Sequence, residues 1–249
     1  MNEVTGGGMS GCRVLVTRPL PDAVITAARL QAAGYRPVLL PVSETVSTDY
    51  GFDALAAEVF DAVAVTSANA LRHANAAKLS AYHHLQVYAV GEKTANVTRE
   101  SGFDKIYAGD GWGLHLGQYV AQQQKTGSHV LYLTGKVRRP DFEAQLAAAG
   151  IHVHIAETYD TKPVSYDDAQ LAKLVRAEPA DIILLYSAVA AKQFAALDRQ
   201  VQNGFLNQAK HIFCLSQRIA AELPDHCQAR ICISDTPDEA GLLRLLADA

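Results

Sequence analysis

Several short segments of this chain collect the residue types that hold an anion: Thr17-Arg18-Pro19, Thr66-Ser67-Ala68-Asn69, Gly91-Glu92-Lys93-Thr94, Thr134-Gly135-Lys136-Val137-Arg138-Arg139, Tyr186-Ser187-Ala188 and Leu215-Ser216-Gln217-Arg218. Small hydroxyl residues and glycine let backbone N–H groups approach a ligand, and Arg and Lys add charge-assisted bonds to carboxylate or phosphate. The set suits a polyanion. A plainer reading stands beside it, because Ser, Thr and Asn cap helix N-termini whatever the function; Thr17, Ser67, Asn69, Thr94, Ser187 and Ser216 all fit that role. Tyr159, flanked by Thr158 and Asp160, has two readings of its own. A strand tyrosine commonly packs its ring and satisfies its hydroxyl. A phenol facing a cleft could instead give a proton to a poor leaving group, since phenols remain protonated at neutral pH.

These segments matter because of what precedes them. Strand-sized apolar runs are expected at Arg13–Thr17, Arg36–Pro41, Ala62–Thr66, Gln86–Val90, Lys105–Tyr107, His129–Thr134, His152–Thr158, Asp181–Tyr186, His211–Leu215 and Arg230–Ile233, with Ala/Leu-rich crossover segments between them. Runs that are apolar at nearly every position belong to strands buried on both faces of a parallel sheet, so the class is α/β. Gly34, Gly102 and Gly150 mark helix ends that need left-handed backbone. In open parallel sheets, ligands bind beyond the carboxyl ends of the strands, where the polar segments fall.

Sharper motifs fail. Gly109 to Gly117 has no GxGxxG frame, because leucines stand where the third glycine belongs, and Gly135-Lys136 lacks the first glycine of a Walker A loop, with Val130 in its place. Ser67 and Ser187 have no G-x-S-x-G elbow. His83-His84 and His152-x-His154 do not carry zinc-motif spacing. No metal and no cofactor are therefore expected. With 22 Lys+Arg against 26 Asp+Glu and a formal charge of −4, a bulk positive field for nucleic acid is excluded, so any anion site must be local. No apolar run approaches the ~20 residues of a membrane-spanning helix. Residues 1–8 read as a flexible leader without the features of a secretion signal. Cys12, Cys214, Cys227 and Cys232 form no CxxC and sit mostly in or beside apolar runs, which points to a reducing, cytoplasmic setting.

An internal repeat organises the chain. Val14-Leu15, Leu30 and Ala32-Ala33-Gly34 recur as Val130-Leu131, Leu146 and Ala148-Ala149-Gly150 at a spacing of 116; Asp61 and Ser67-Ala68 recur as Asp181 and Ser187-Ala188 at 120; Ala95 and Ile106 recur as Ala220 and Ile231 at 125. The order is A-B-A′-B′. Such a chain can close as two lobes in sequence, or as one lobe of both ends around one of the middle. The mixed segments Pro41 to Val46 and Ala156 to Thr161, which could pair as a two-stranded connector, hint at the nested form.

Assembled, these residues resemble the uroporphyrinogen-III synthase family from Arg13 to Leu246. The resemblance rests on Val14 to Pro19, Thr66 to Ala70, Ala89 to Ala95, Gly109 to Leu116, Leu133-Thr134-Gly135 with Arg138 and Arg139, Glu157 to Thr161, Asp181 to Ser187 and Cys214-Leu215-Ser216. It implies two doubly wound, flavodoxin-like parallel-sheet lobes joined by a two-stranded antiparallel connector: lobe 1 from residues 9–43 plus 162–249, lobe 2 from 46–157, with a cleft between them. It further implies a cofactor-free, monomeric lyase acting on hydroxymethylbilane, a linear tetrapyrrole with four acetate and four propionate groups. By position Tyr159 matches the family tyrosine proposed to help the leaving hydroxyl. Thr17, Arg18, Thr66, Ser67, Asn69, Gly91, Thr94, Gly135, Arg138, Arg139, Ser187 and Ser216 are expected to bind substrate. Ser216-Gln217-Arg218 replaces a Gly-Pro-x-Thr-like turn of many relatives, whereas Gly91-Glu92-Lys93-Thr94 keeps its Gly and Thr. From the residues alone, a hinged two-lobe protein that binds a small anion without chemistry is the alternative.

Overall fold

A computed structural model describes residues 11–50, 52, 55, 58–171, 173–174, 178–200 and 204–248; the expected leader lies outside them. The strands are β1 (Arg13–Val16), β2 (Arg36–Leu39), β3 (Ser43–Tyr50), β4 (Ala62–Val65), β5 (Gln86–Ala89), β6 (Ile106–Ala108), β7 (His129–Gly135), β8 (His152–Pro163), β9 (Ile182–Leu185), β10 (His211–Cys214) and β11 (Ile231–Ile233). Between them run α1 (Asp22–Ala32), α2 (Ala68–Arg72), α3 (Ala76–Ser80), α4 (Glu92–Glu100), α5 (Gly113–Gln123), α6 (Asp141–Ala148), α7 (Asp168–Leu171), α8 (Ala188–Asp198), α9 (Phe205–Gln208), α10 (Gln217–Ala220) and α11 (Glu239–Asp248).

The chain divides into two compact units, one of residues 1–44 and 163–249, the other of 45–162. Unit 1 carries a five-stranded sheet ordered β11-β10-β9-β1-β2, parallel throughout. Its middle strand, β9, is apolar at every position, and β1 and β10 are apolar at all but their first, because both faces are covered. Leu15, Ile183, Leu185 and Ile212 pack under α8, α9 and α10, whereas Val14, Val16, Ile182 and Phe213 pack against Ala23 and Leu30 of α1 and Leu242 and Leu246 of α11. Unit 2 carries a six-stranded sheet ordered β3-β8-β7-β4-β5-β6. Val63, Val65, Leu131 and Leu133 face α2, α3 and α4; Ala62, Ala64, Val130 and Tyr132 face α5 and α6.

The repeat is visible in the strand orders. Matching β1, β2, β9, β10 and β11 to β7, β8, β4, β5 and β6 reproduces one sheet from the other, with the flavodoxin-like order in unit 1 and its permuted counterpart in unit 2. It extends to one side chain. Asp181 accepts the Arg13 N–H on its carboxylate and donates its own N–H to the Arg13 carbonyl, both at 2.9 Å; Asp61 does the same to His129, both at 2.8 Å. Each aspartate fixes the start of a central strand. Gly34, Gly102 and Gly150 have φ of 85°, 93° and 70°, the left-handed helix ends expected of them.

β3 and β8 cross the boundary between the units. Val164 N–H donates to the Val42 carbonyl at 3.0 Å, and the Thr48 hydroxyl donates to the Glu157 carbonyl. The partner number falls as the residue number rises, so the pair is antiparallel. Among the described residues no helix is long and apolar enough to cross a membrane.

Candidate active site

The geometry of Tyr159 starts from a slip in strand register. From His129↔His152 to Thr134↔Glu157, β7 and β8 advance together, but Gly135 pairs with Tyr159, leaving one extra residue on β8. Along a regular strand, side chains alternate between faces. Ala156 faces the α2 side and Thr158 donates its hydroxyl to the Ala70 carbonyl on that same side, at 2.7 Å. Parity would send Tyr159 to the opposite face with Glu157. The bulge turns it back, and the Tyr159 ring packs on the α2 side with Leu131, Leu133 and Ala156.

The ring needs the glycine beside it. A Cβ on Gly135 would lie 2.6 Å from Cζ and 2.9 Å from both Cε atoms of Tyr159, so only glycine admits the ring there. On its other side Tyr159 stacks on His73, with ring centroids 5.9 Å apart and planes inclined by 26°. His73, at the C-terminus of α2, is in turn held by β3: Nε2 lies 2.7 Å from the Thr45 hydroxyl and Nδ1 3.0 Å from the Ser47 hydroxyl. Burial, with help from Arg72, lowers the His73 pKa, favouring the neutral ring. A cavity of about 300 Å³ opens beside it, lined by Ser47, Thr48, His73 and Asn75. Tyr159 is half-buried, and no described residue hydrogen-bonds its hydroxyl. Sequence reasoning missed His73; its one signal was its place four residues after Asn69, one helical turn along α2.

The other expected site residues divide by what already occupies them. Thr17 is fully buried and donates its hydroxyl to the Leu184 carbonyl at 2.7 Å. Arg18 lies 2.8 Å from Asp22 and 3.1 Å from Glu239, with its guanidinium carbon 4.3 Å from the centre of the Tyr186 ring. Its charge is spent within unit 1. Thr66 Oγ1 pairs with the Tyr132 hydroxyl at 2.7 Å. Ser67 and Ser187 cap α2 and α8, accepting from Asn69 N–H at 3.2 Å and Ala190 N–H at 3.0 Å. Asn69 accepts from Arg72 at 3.1 Å. Arg138 bridges Glu143 at 2.7 Å and Glu157 at 2.8 Å.

What stays available is smaller and mostly backbone. Gly91 and Ser216 stand at the N-caps of α4 and α10, and neither cap residue bonds the first N–H groups of its helix through a side chain. Thr94 is buried in the first turn of α4. Arg139 is exposed and has no ion-pair partner among the described residues. The glycine-rich stretch after β6 proves to be packing: Gly109 and Gly111 donate to the Ala89 and Val90 carbonyls at 2.8 and 2.7 Å, and a Cβ on Gly109 would lie 2.9 Å from the Val90 oxygen.

Comparison with known proteins bears on what this arrangement belongs to. Over 87 residues the chain is 34% identical to uroporphyrinogen-III synthase of Saccharomyces cerevisiae, a match that spans about a third of that protein, 32% of each chain. The fold is that of a crystal structure of uroporphyrinogen-III synthetase from Helicobacter pylori, at 19% identity and a TM-score of 0.64, covering 96% of this chain and 99% of that one. It is likewise that of a mutant uroporphyrinogen III synthase from the extremely thermophilic bacterium Thermus thermophilus, at 18% identity and a TM-score of 0.56, covering 96% and 98%. The family model of uroporphyrinogen-III synthase HemD matches residues 25–244. A match of that extent takes in strands of both sheets together with the bulge that aims Tyr159, and the chain therefore belongs to the uroporphyrinogen-III synthase family, a family of lyases.

Proposed function

We propose that this protein cyclises hydroxymethylbilane to uroporphyrinogen III, with loss of water and inversion of ring D through a spiro intermediate. The observation that carries the reading is membership of the family over residues 25–244. In the proposed reaction the substrate's terminal C–O bond breaks and the hydroxyl leaves as water, taking its proton from the Tyr159 phenol. The azafulvene cation that remains is attacked by the substituted carbon of ring D, which closes the spiro intermediate. The older bond from that carbon to the methylene of ring C then breaks, that methylene rejoins ring D at its free α-carbon, and the proton released there restores the phenol. The substrate cation closes unaided to the type I isomer, so the enzyme's task is chiefly to fold a flexible chain, an effect of proximity, with modest acid help. No oxidation state changes, and the scheme calls for no redox cofactor.

The substrate's carboxylates are assigned to the carboxyl-end loops of the two sheets. Support comes from the uncapped N–H groups at Gly91 and Ser216 and from exposed Arg139. Helix N-termini attract anions without net positive charge on the protein. In this reading Thr17, Arg18, Thr66, Ser67, Asn69, Gly135, Arg138 and Ser187 shape those loops through the bonds described above, and Thr94 seats the first turn of α4. A monomer in the cytoplasm is proposed as the working state, supported by four cysteines that are all free thiols.

Purified protein supplied with hydroxymethylbilane, followed by oxidation and separation of the isomers, should yield type III in excess. Isomer I alone at the level of the spontaneous reaction would defeat the reading and favour an anion-binding protein without catalysis. Tyr159→Phe keeps the ring, its stacking on His73 and the fold. It should slow turnover about tenfold, less than the roughly 10²–10⁴ of a fully engaged general acid, because electron release from the pyrrole already drives the hydroxyl out. An unchanged rate would return Tyr159 to a packing role.

A further inference from the structure

At the amino-terminal end of the unit 2 sheet, opposite the loops discussed so far, strand register gathers three histidines. His129 opens β7 and pairs with His152, and His154 lies beside Leu131 two residues on. Because positions i and i+2 share a face, all three rings project from the α2 side of the sheet. His129 Nδ1 and His154 Nε2 are 2.9 Å apart. A ligand atom from each of Glu58, His129 and His154 lies within 4.8 Å of the others.

We propose that Glu58, His129 and His154 bind one divalent transition-metal ion, zinc above all, through two imidazole nitrogens and a carboxylate oxygen, with a fourth position left to water. Nothing in the proposed cyclisation uses this site. The donor set is that of an open zinc site, and two imidazoles favour Zn, Cu or Ni over Mg or Ca. Tetrahedral geometry with bonds of about 2.0–2.1 Å separates two nitrogen ligands by about 3.3 Å, so the pair needs to open by only a few tenths of an ångström. The site is also braced. Asp61 binds the His129 backbone through both its carboxylate and its own N–H, and Phe60 packs edge-on against the His154 ring at 5.3 Å. Glu58, exposed, is free to close on the ion.

The titratable groups facing the site are His129 with Asp61 behind it, His152, His154 and Glu58. Protons compete with a metal ion for imidazole nitrogens, so affinity should fall as the pH is lowered.

The test uses the full chain without a histidine tag. Calorimetric titration with zinc chloride should show one site per chain, thermal melting should rise with zinc because the ion binds the folded state, and cobalt(II) should give the intense visible absorption of a tetrahedral site. His129→Gln and His154→Gln should each weaken zinc binding by at least about tenfold. Glu58→Gln, at an exposed position that does not endanger folding, should weaken it about tenfold as well. Affinity in Glu58→Gln equal to that of the parent, or zinc retained by the double His129→Gln/His154→Gln variant, would place the ion elsewhere and overturn the site. Absence of binding to the parent chain would overturn it directly.

Discussion

Gly135→Ala should lower turnover about a hundredfold in a protein that still folds. The added methyl would lie 2.6 Å from Tyr159 Cζ, well inside van der Waals contact, so either the ring moves by about 1 Å or β7 does. The second is resisted by the flanking ladder, since Gly135 pairs with Tyr159 and the next residue, Lys136, donates its N–H to the Tyr159 carbonyl at 2.9 Å. Displacements of that size cost on the order of 10²-fold when they misplace a reacting group. Overpacking one methyl destabilises by about 1–3 kcal/mol, which leaves the fold in place. The comparison with Tyr159→Phe is informative. Removing the oxygen tests acid help alone, whereas the alanine also lifts the ring from His73 and disturbs the wall where substrate would lie. Turnover equal to the parent, with a circular dichroism spectrum unchanged, would mean that the position of Tyr159 does not matter to the reaction.

Arg18→Ala should act on stability rather than on substrate. The guanidinium and the Glu239 carboxylate are each mostly buried, with side chains 14% and 16% exposed. Asp22 and the Tyr186 ring complete the enclosure, and Glu239 also takes hydrogen bonds from Thr26 and Arg29. Burial pushes the Tyr186 pKa up to about 12, so its phenol stays neutral and adds no second negative charge beside Glu239. Removing one member of a buried ion pair costs about 3–5 kcal/mol because the partner stays desolvated; Arg29 remains beside Glu239, so the low end is expected. About 3 kcal/mol corresponds to a fall in Tm of roughly 6–12 °C in a domain of this size. Turnover per folded molecule should be kept. A strongly raised KM with an unshifted Tm would reverse the assignment and make Arg18 a ligand for substrate.

Arg18 shows where reading the chain residue by residue runs out. The segment Thr17-Arg18-Pro19 falls at the carboxyl end of β1 as expected, because strand ends follow from apolar runs and their breaks. Whether its cation is free depends on Glu239, a residue 221 positions away. Gly34, Gly102 and Gly150 were legible because the left-handed residue that ends a helix is a local requirement. The duplication was legible from Asp61 and Asp181, since a strand start needs the same clamp in both sheets. Tyr159 was found as a residue but not in its orientation, which turns on a bulge that no local pattern around Thr158 announces. The histidines show the converse. His152-x-His154 lacks zinc-motif spacing along the chain, and His129 joins the cluster only through the register of β7 against β8.

The nested topology sets a timetable for synthesis. Residues 45–162 are contiguous, so unit 2 can pack as soon as its last strand leaves the ribosome. β1 cannot be completed then: its neighbour on one side is β9, and the Thr17 hydroxyl finds its acceptor on Leu184, 167 positions later. At about 5–20 residues per second, the opening strand waits on the order of ten to thirty seconds with an apolar edge unpaired. Nascent chains stalled just before β9 should therefore carry a protease-resistant middle and a cleavable beginning, with the N-terminal segment in need of chaperone cover until translation nears its end.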